Sequence, residues 1–140
     1  LARAQSLGAD HGINYNDNPR WDKAVLEITG GRGADVVVET AGIATMTTSM
    51  KATAAGGLIG VLGGVTGLAG DVQIAPLVMK RLRVTGILVD SRAHFEELSA
   101  FLGKHSIEPV IDRKFGFDEL PAALQHMESG GHFGKIVVKI

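Results

Sequence analysis

Cysteine is absent from all 140 residues. Its absence removes disulfides and thiolate metal sites and fits a cytoplasmic protein. An excess of either charge is also lacking: 14 Lys and Arg stand against 15 Asp and Glu, for a net charge of −1. With the basic residues scattered, no nucleic-acid footprint is expected. No apolar run approaches the ~20 residues that span a bilayer, and no secretory signal pattern is visible. Internal repeats and low-complexity tracts are missing too. What is left is an ordinary globular composition, 45% hydrophobic and 21% charged, in a chain long enough for a true core.

Glycine breaks the ordinariness. It fills 19 of 140 positions, about twice the usual share of ~7%, and clusters where apolar runs stop. In GADVVVETAG, residues 33–42, Ala34, Val36, Val37 and Val38 are interrupted only by Asp35, and the run ends in Thr40-Ala41-Gly42. Gly57 to Leu62 is a second such run, ended by Gly63-Gly64. Leu82 to Val89 is a third, followed by Asp90-Ser91. Each is expected to be a strand.

The intervening segments predict helices. Leu1 to Leu7 reads as the last turns of a helix closed by Gly8, so the sequence is expected to continue upstream in a longer protein. A short strand is expected at His11–Tyr15, then a turn, then a helix with Asn18 as cap and Pro19 at its first position. Trp21, Val25, Leu26 and Ile28 form its apolar face, and Gly30-Gly31 end it. Thr45–Ala55 predicts a helix rich in poor formers that packing must hold, with Met46 and Met50 as core contacts. Further helices are expected near Ala75–Lys80 and over Arg92–Lys104, the latter with Phe95, Leu98, Phe101 and Leu102 on one side. Beyond these, Val110-Ile111 and Phe115–Phe117 read as extended chain. Asp118 caps a helix through His126 with Leu120, Leu124 and Met127 inward, and Gly134–Ile140 forms a closing strand.

Apolar strands alternating with helices imply a parallel sheet covered on both faces. In such sheets ligands bind beyond the carboxyl ends of the strands. Small residues there let a ligand approach the backbone closely. The same glycines also suit tight strand-to-helix turns, and sequence alone leaves both readings open.

The ordered set LARAQSLGADHGINY, LEITGGRGADVVVETAG, GGLIGVLGG, RLRVTGILVDSRAHFEEL and PVIDRKFGFDELPAALQHMESGGHFGKIVVKI resembles the second half of a medium-chain dehydrogenase/reductase. That superfamily includes zinc-type alcohol dehydrogenases and quinone oxidoreductases; HFGKIVVKI and INY lean towards the quinone-reductase-like branch. The resemblance implies a doubly wound Rossmann-like sheet, here truncated and without its first strand and glycine-rich phosphate turn. No G-x-G-x-x-G occurs: Gly31 and Gly33 begin the spacing, but position 36 is Val. It implies a partial nucleotide-binding domain over 1–108 and a segment, 109–140, that returns to a catalytic domain lying upstream. It implies NAD(H) or NADP(H) as cofactor, and hydride transfer to or from a small carbonyl, alcohol or quinone/enone substrate. The catalytic residues and any zinc ligands would belong to the upstream domain, so none is expected here. The 140-residue piece alone is expected to be inactive and to self-associate.

Carried onto this sequence, Thr40, Ala41 and Gly42 resemble the turn beside the nicotinamide ribose. Leu62-Gly63-Gly64 and Val89-Asp90-Ser91 resemble strand ends that flank the nicotinamide. Tyr15 resembles a tyrosine near the adenosine 2′-phosphate, against an ordinary half-buried tyrosine. Lys135 is a candidate charge for the cofactor phosphates, against a solvated lysine opening a strand. The five histidines show no ligand spacing, and Ser49 and Ser99 no paired base, so neither metal nor nucleophilic chemistry is expected. A non-catalytic α/β binding or self-associating module is the competing reading, and a methyltransferase on a similar sheet a more distant one.

Overall fold

The computed structural model describes all 140 residues, which divide into two compact units, Leu1–Val89 and Asp90–Ile140. In the first, α1 (Ala2–Ser6) and α2 (Trp21–Ile28) precede β1 (Ala34–Glu39), α3 (Ile43–Ala52), β2 (Thr53–Val61), α4 (Ala75–Met79) and β3 (Arg83–Gly86). The three strands form one sheet in the order β1-β2-β3. Both pairings are parallel: Val37 lies opposite Ile59 and Glu39 opposite Val61, while Ile59 faces Val84 and Val61 faces Gly86. All three carboxyl ends therefore fall on one side of the unit.

The core lies on one face of this sheet. Met50 of α3, Ile59 and Leu82 are buried there, with Val37, Met46, Val61, Val72 and Leu77 packed around them. Alternation along a strand sends odd and even residues to opposite faces. Val36 and Val38 thus point away from the core, and they are 62% and 64% exposed. The expectation of two covered faces fails in this chain: α3 covers one face of β1, while Val36 and Val38 on the other remain largely exposed.

Other differences have local causes. His11–Tyr15 is not a strand, because no ladder partner runs beside it and backbone groups need one. Instead Asn14 organises a turn: its carbonyl accepts from the N–H groups of Asp17 and Asn18, and its side-chain oxygen accepts from the Asn16 N–H. The helix expected from Pro19 starts at Trp21, with Arg20 rather than Asn18 in the cap position and no side-chain cap. The helix expected to reach Ala55 stops at Ala52, and Thr53, fully buried, opens β2. Strand β3 ends at Gly86, three residues before Val89.

The second unit comprises α5 (Arg92–Lys104), β4 (Ile111–Gly116), a 3-10 turn (Phe117–Glu119), α6 (Leu120–Glu128) and β5 (Lys135–Lys139). Strands β4 and β5 pair in parallel. Helix α5 has the expected bounds, but Phe95, Leu98 and Phe101 are exposed. The inward residues of α6 also differ from expectation: Leu120, Leu124 and Met127 are exposed, and Ala123 with Phe115 of β4 forms the buried centre. His126 faces the same way and pairs through Nε2 with Asp112 Oδ2 at 2.8 Å, tying α6 to β4. No helix in the chain is long and apolar enough to cross a membrane.

Candidate functional site

At the carboxyl end of β1 the chain turns into α3 through Thr40-Ala41-Gly42. Gly42 takes φ +105°, a conformation that glycine adopts without steric cost. A Cβ here would lie 2.7 Å from the Gly67 carbonyl oxygen. The next loop, after β2, folds directly onto this turn. Leu62 N–H donates to the Glu39 carbonyl at 2.9 Å, Thr66 N–H to the Ala41 carbonyl at 2.8 Å, and Ile43 N–H to the Gly67 carbonyl at 3.1 Å. Gly63 packs so closely on Thr40 that a Cβ would fall 1.9 Å from its carbonyl oxygen. Glycine at 42 and 63 is thus required by contact between backbones.

Glu39 is the centre of the arrangement, and sequence reasoning missed it. It ends an apolar strand yet is only 4% exposed. Oε1 accepts from Ala41 N–H at 2.9 Å, Gly42 N–H at 3.1 Å and the Thr45 hydroxyl at 2.8 Å, and Oε2 accepts a short bond from the Ser49 hydroxyl. Burial alone would push this carboxyl up. The bonds from Ser49, Thr45, Gly42 and Ala41 outweigh burial and hold it below the usual glutamate value, so it is ionised at neutral pH. A signal was present in the sequence: Thr45 and Ser49, four apart, put two hydroxyls on one helix face, aimed back at a strand end that terminates in Glu.

Thr66 completes the turn. Its hydroxyl donates to the Ala41 carbonyl at 2.9 Å and accepts from Ala44 N–H at 3.1 Å. With Glu39 and Gly67 it satisfies the N–H groups of residues 41–44. The first turn of α3 therefore has no donors left for an anion, in contrast to a helix N-terminus that cradles phosphate.

Beside the turn lies a cavity of about 600 Å³, with Ile13, Tyr15, Trp21, Val38 and Val65 among its walls and Glu39, Thr40, Ala41, Thr45, Ser49 and Thr66 bringing polar groups to it. No Lys, Arg or His lines it. Of the residues singled out from sequence, Tyr15, Thr40 and Ala41 line this cavity. Gly42 is buried next to it. Leu62, Gly63 and Gly64 belong to the loop that clasps the turn. Val89 is an exposed residue beyond β3. Asp90 and Ser91 cap α5: Ser91 Oγ accepts from His94 N–H at 3.4 Å, and Asp90 pairs with His94 Nδ1 at 2.8 Å. Lys135 opens β5, its N–H bonded to the Val110 carbonyl at 2.8 Å. Nowhere do three or more His, Asp or Glu side chains converge as metal ligands.

The cavity suits the ring and ribose end of a dinucleotide, since it is largely apolar with a few convergent polar groups. It offers no cation to a pyrophosphate. The chain as a whole is similar to known proteins. A zinc-type alcohol dehydrogenase-like protein of Schizosaccharomyces pombe is 34% identical over 144 residues, which cover 100% of this chain and 42% of that protein. Among solved structures, a Sinorhizobium meliloti protein described as an alcohol dehydrogenase is 41% identical, with a TM-score of 0.90 over 100% of this chain and 40% of its own. A crotonyl-CoA carboxylase/reductase in complex with NADP is 29% identical, with a TM-score of 0.76 over 86% of this chain and 30% of its own. The chain thus spans about two fifths of the length of the first two, and its parallel sheet has the Rossmann-like fold of such dehydrogenases. The sequence pattern described as zinc-binding dehydrogenase matches residues 7–138, and the chain belongs to that family, within the medium-chain dehydrogenase/reductase superfamily.

Proposed function

We propose that this chain forms the nicotinamide-facing part of an NAD(H)- or NADP(H)-dependent oxidoreductase, acting on a small carbonyl, alcohol or quinone/enone substrate. The observation that carries the reading is the cavity lined by Tyr15, Thr40 and Ala41 at the carboxyl ends of parallel strands. A solved relative that holds NADP supports it. When bound, the cofactor supplies the hydride donor or acceptor. The chain's own residues orient it: Glu39, Thr66 and Gly67 fix the turn, and Val38 and Val65 add apolar surface to the cavity beside it. Catalytic side chains would come from a domain outside these residues. A polypeptide limited to the 140 residues is therefore expected to bind the cofactor weakly and turn nothing over.

Trp21 is the single tryptophan and lines the cavity, so its fluorescence reports occupancy. Titration with NADPH or NADH is expected to quench Trp21 saturably, with an indifferent response to adenosine. No quenching at millimolar cofactor, or NADPH turnover by the purified 140-residue chain, would count against the reading. A second reading, a non-catalytic self-associating module, draws on the exposed Val36 and Val38 face; it predicts association with no response to cofactor.

A further inference from the structure

The strand-end cavity has one charged wall. Among its lining residues Glu39 carries the only carboxylate, and no basic residue balances it. Its two oxygens are held by the Ala41 and Gly42 N–H groups and by the Thr45 and Ser49 hydroxyls, so the side chain cannot swing out to be screened by solvent. All four donors are neutral dipoles. They stabilise the carboxylate but leave its net charge in place at the wall of the cavity, where the side chain itself is only 4% exposed. A fixed charge in such a setting acts on a ligand over several ångströms.

A nicotinamide ring changes charge when hydride adds at C4: the oxidised pyridinium is a cation, and uptake of two electrons with one proton leaves a neutral dihydropyridine. We propose that the Glu39 carboxylate sets the cavity's preference between these two forms, favouring the oxidised, cationic ring over the reduced, neutral one. The inference rests on the cofactor reading above and deepens it. Glu39 is a specificity-determining residue in this scheme. It touches the turn that orients the ring, and its charge is felt by the ring without a hydrogen bond to it.

The test is the ratio of dissociation constants for oxidised and reduced dinucleotide, measured by titration of the full-length protein that carries this sequence. Glu39→Gln keeps the size of the side chain and removes the charge. It is expected to weaken the oxidised form relative to the reduced form by about three- to tenfold, the effect of one unit charge several ångströms away at an intermediate dielectric. Val65→Lys, at a position 90% exposed on which folding does not depend, adds a cation to the same cavity. It is expected to move the ratio in the same direction by about twofold, the smaller effect of a solvent-screened charge. Equal weakening of both forms in Glu39→Gln makes Glu39 a structural clamp only and overturns the inference. Should that variant not fold, Val65→Lys decides, and an unmoved ratio there overturns it. Failure of the unmodified protein to bind either form is a different result, which removes the cofactor reading itself.

Discussion

A glutamate buried without partners would carry a desolvation penalty of several kcal/mol, and Glu39 is tolerated because four donors meet it within two turns of sequence. The balance has a pH signature. Those bonds lower the carboxyl below its reference value of 4.5 despite burial. As pH falls, the unfolded chain takes up the proton first. Stability due to Glu39 is therefore fully present above about pH 4.5 and is lost as pH falls through the folded value. Urea unfolding should show this as an acid limb that is steeper in the parent chain than in Glu39→Gln. That variant should be less stable at pH 7 by about 1–3 kcal/mol, the scale of hydrogen bonds to a charged group. Gly63 gives a second test at this scale. Its missing Cβ is replaced by the Thr40 carbonyl, so Gly63→Ala must displace the turn and should cost about 1–3 kcal/mol. Gly103, inside α5 with open space around it, should behave oppositely. Gly103→Ala is expected to stabilise by about 0.5–1 kcal/mol through helix propensity, and a loss comparable to Gly63→Ala would contradict the steric argument.

Helix α3 shows what fixes an element whose own sequence is weak. Thr45, Thr47, Thr48 and Ser49 are poor formers, and the helix is held at both ends by other elements. Glu39 meets its N-terminus, and the Lys80 ammonium donates to the Lys51 carbonyl at 2.5 Å and the Thr53 carbonyl at 2.8 Å at its C-terminus. An anion at the first turn and a cation at the last both suit the helix dipole. Lys80→Met should keep the aliphatic packing and lose those bonds. The expected cost is about 1–2 kcal/mol, with earlier hydrogen exchange for the α3 amides than for β2; unchanged protection would show the cap to be ornamental. This also explains what the sequence made legible. Periodicity found α5 to the residue, the apolar runs found β1 and β2, and the Met46–Met50 spacing found the core contact. Features that depend on a partner distant in sequence were hidden. The turn at Asn14 replaces a strand because no ladder partner is present, and the inward face of α6 is Ala123 and His126 rather than its leucines because β4 offers Phe115 and Asp112. Glu39 was hidden for the same reason: a polar residue ending a strand reads as solvent-facing until the helix folds back over it.

At the scale of the molecule the sheet of the first unit is one-sided. Val36 and Val38 are strand residues of the kind found in doubly covered parallel sheets, yet they lie bare, and β1 and β3 are both edge strands. Exposed apolar surface next to an unpaired strand edge is a template for another chain. The 140 residues also span only 42% and 40% of the relatives they match from end to end, so this face has room for a covering that the chain itself does not supply. When the 140-residue chain is prepared alone, the bare face is expected to find a second copy. Light scattering should then give a mass above the monomer's 14.7 kDa that rises with concentration, together with binding of a hydrophobic dye. Val36→Lys should act selectively. It places a charge on the bare face, leaves the buried side at Val37 and Ile59 untouched, and does not enter the cavity, so association should fall while Trp21 quenching by cofactor persists. If the unmodified chain stays monomeric over a hundredfold range of concentration, the bare valines are not an adhesive surface. If Val36→Lys abolishes cofactor quenching along with association, the bare face and the strand-end cavity, which share Val38, are not independent, and the cavity depends on what covers that face.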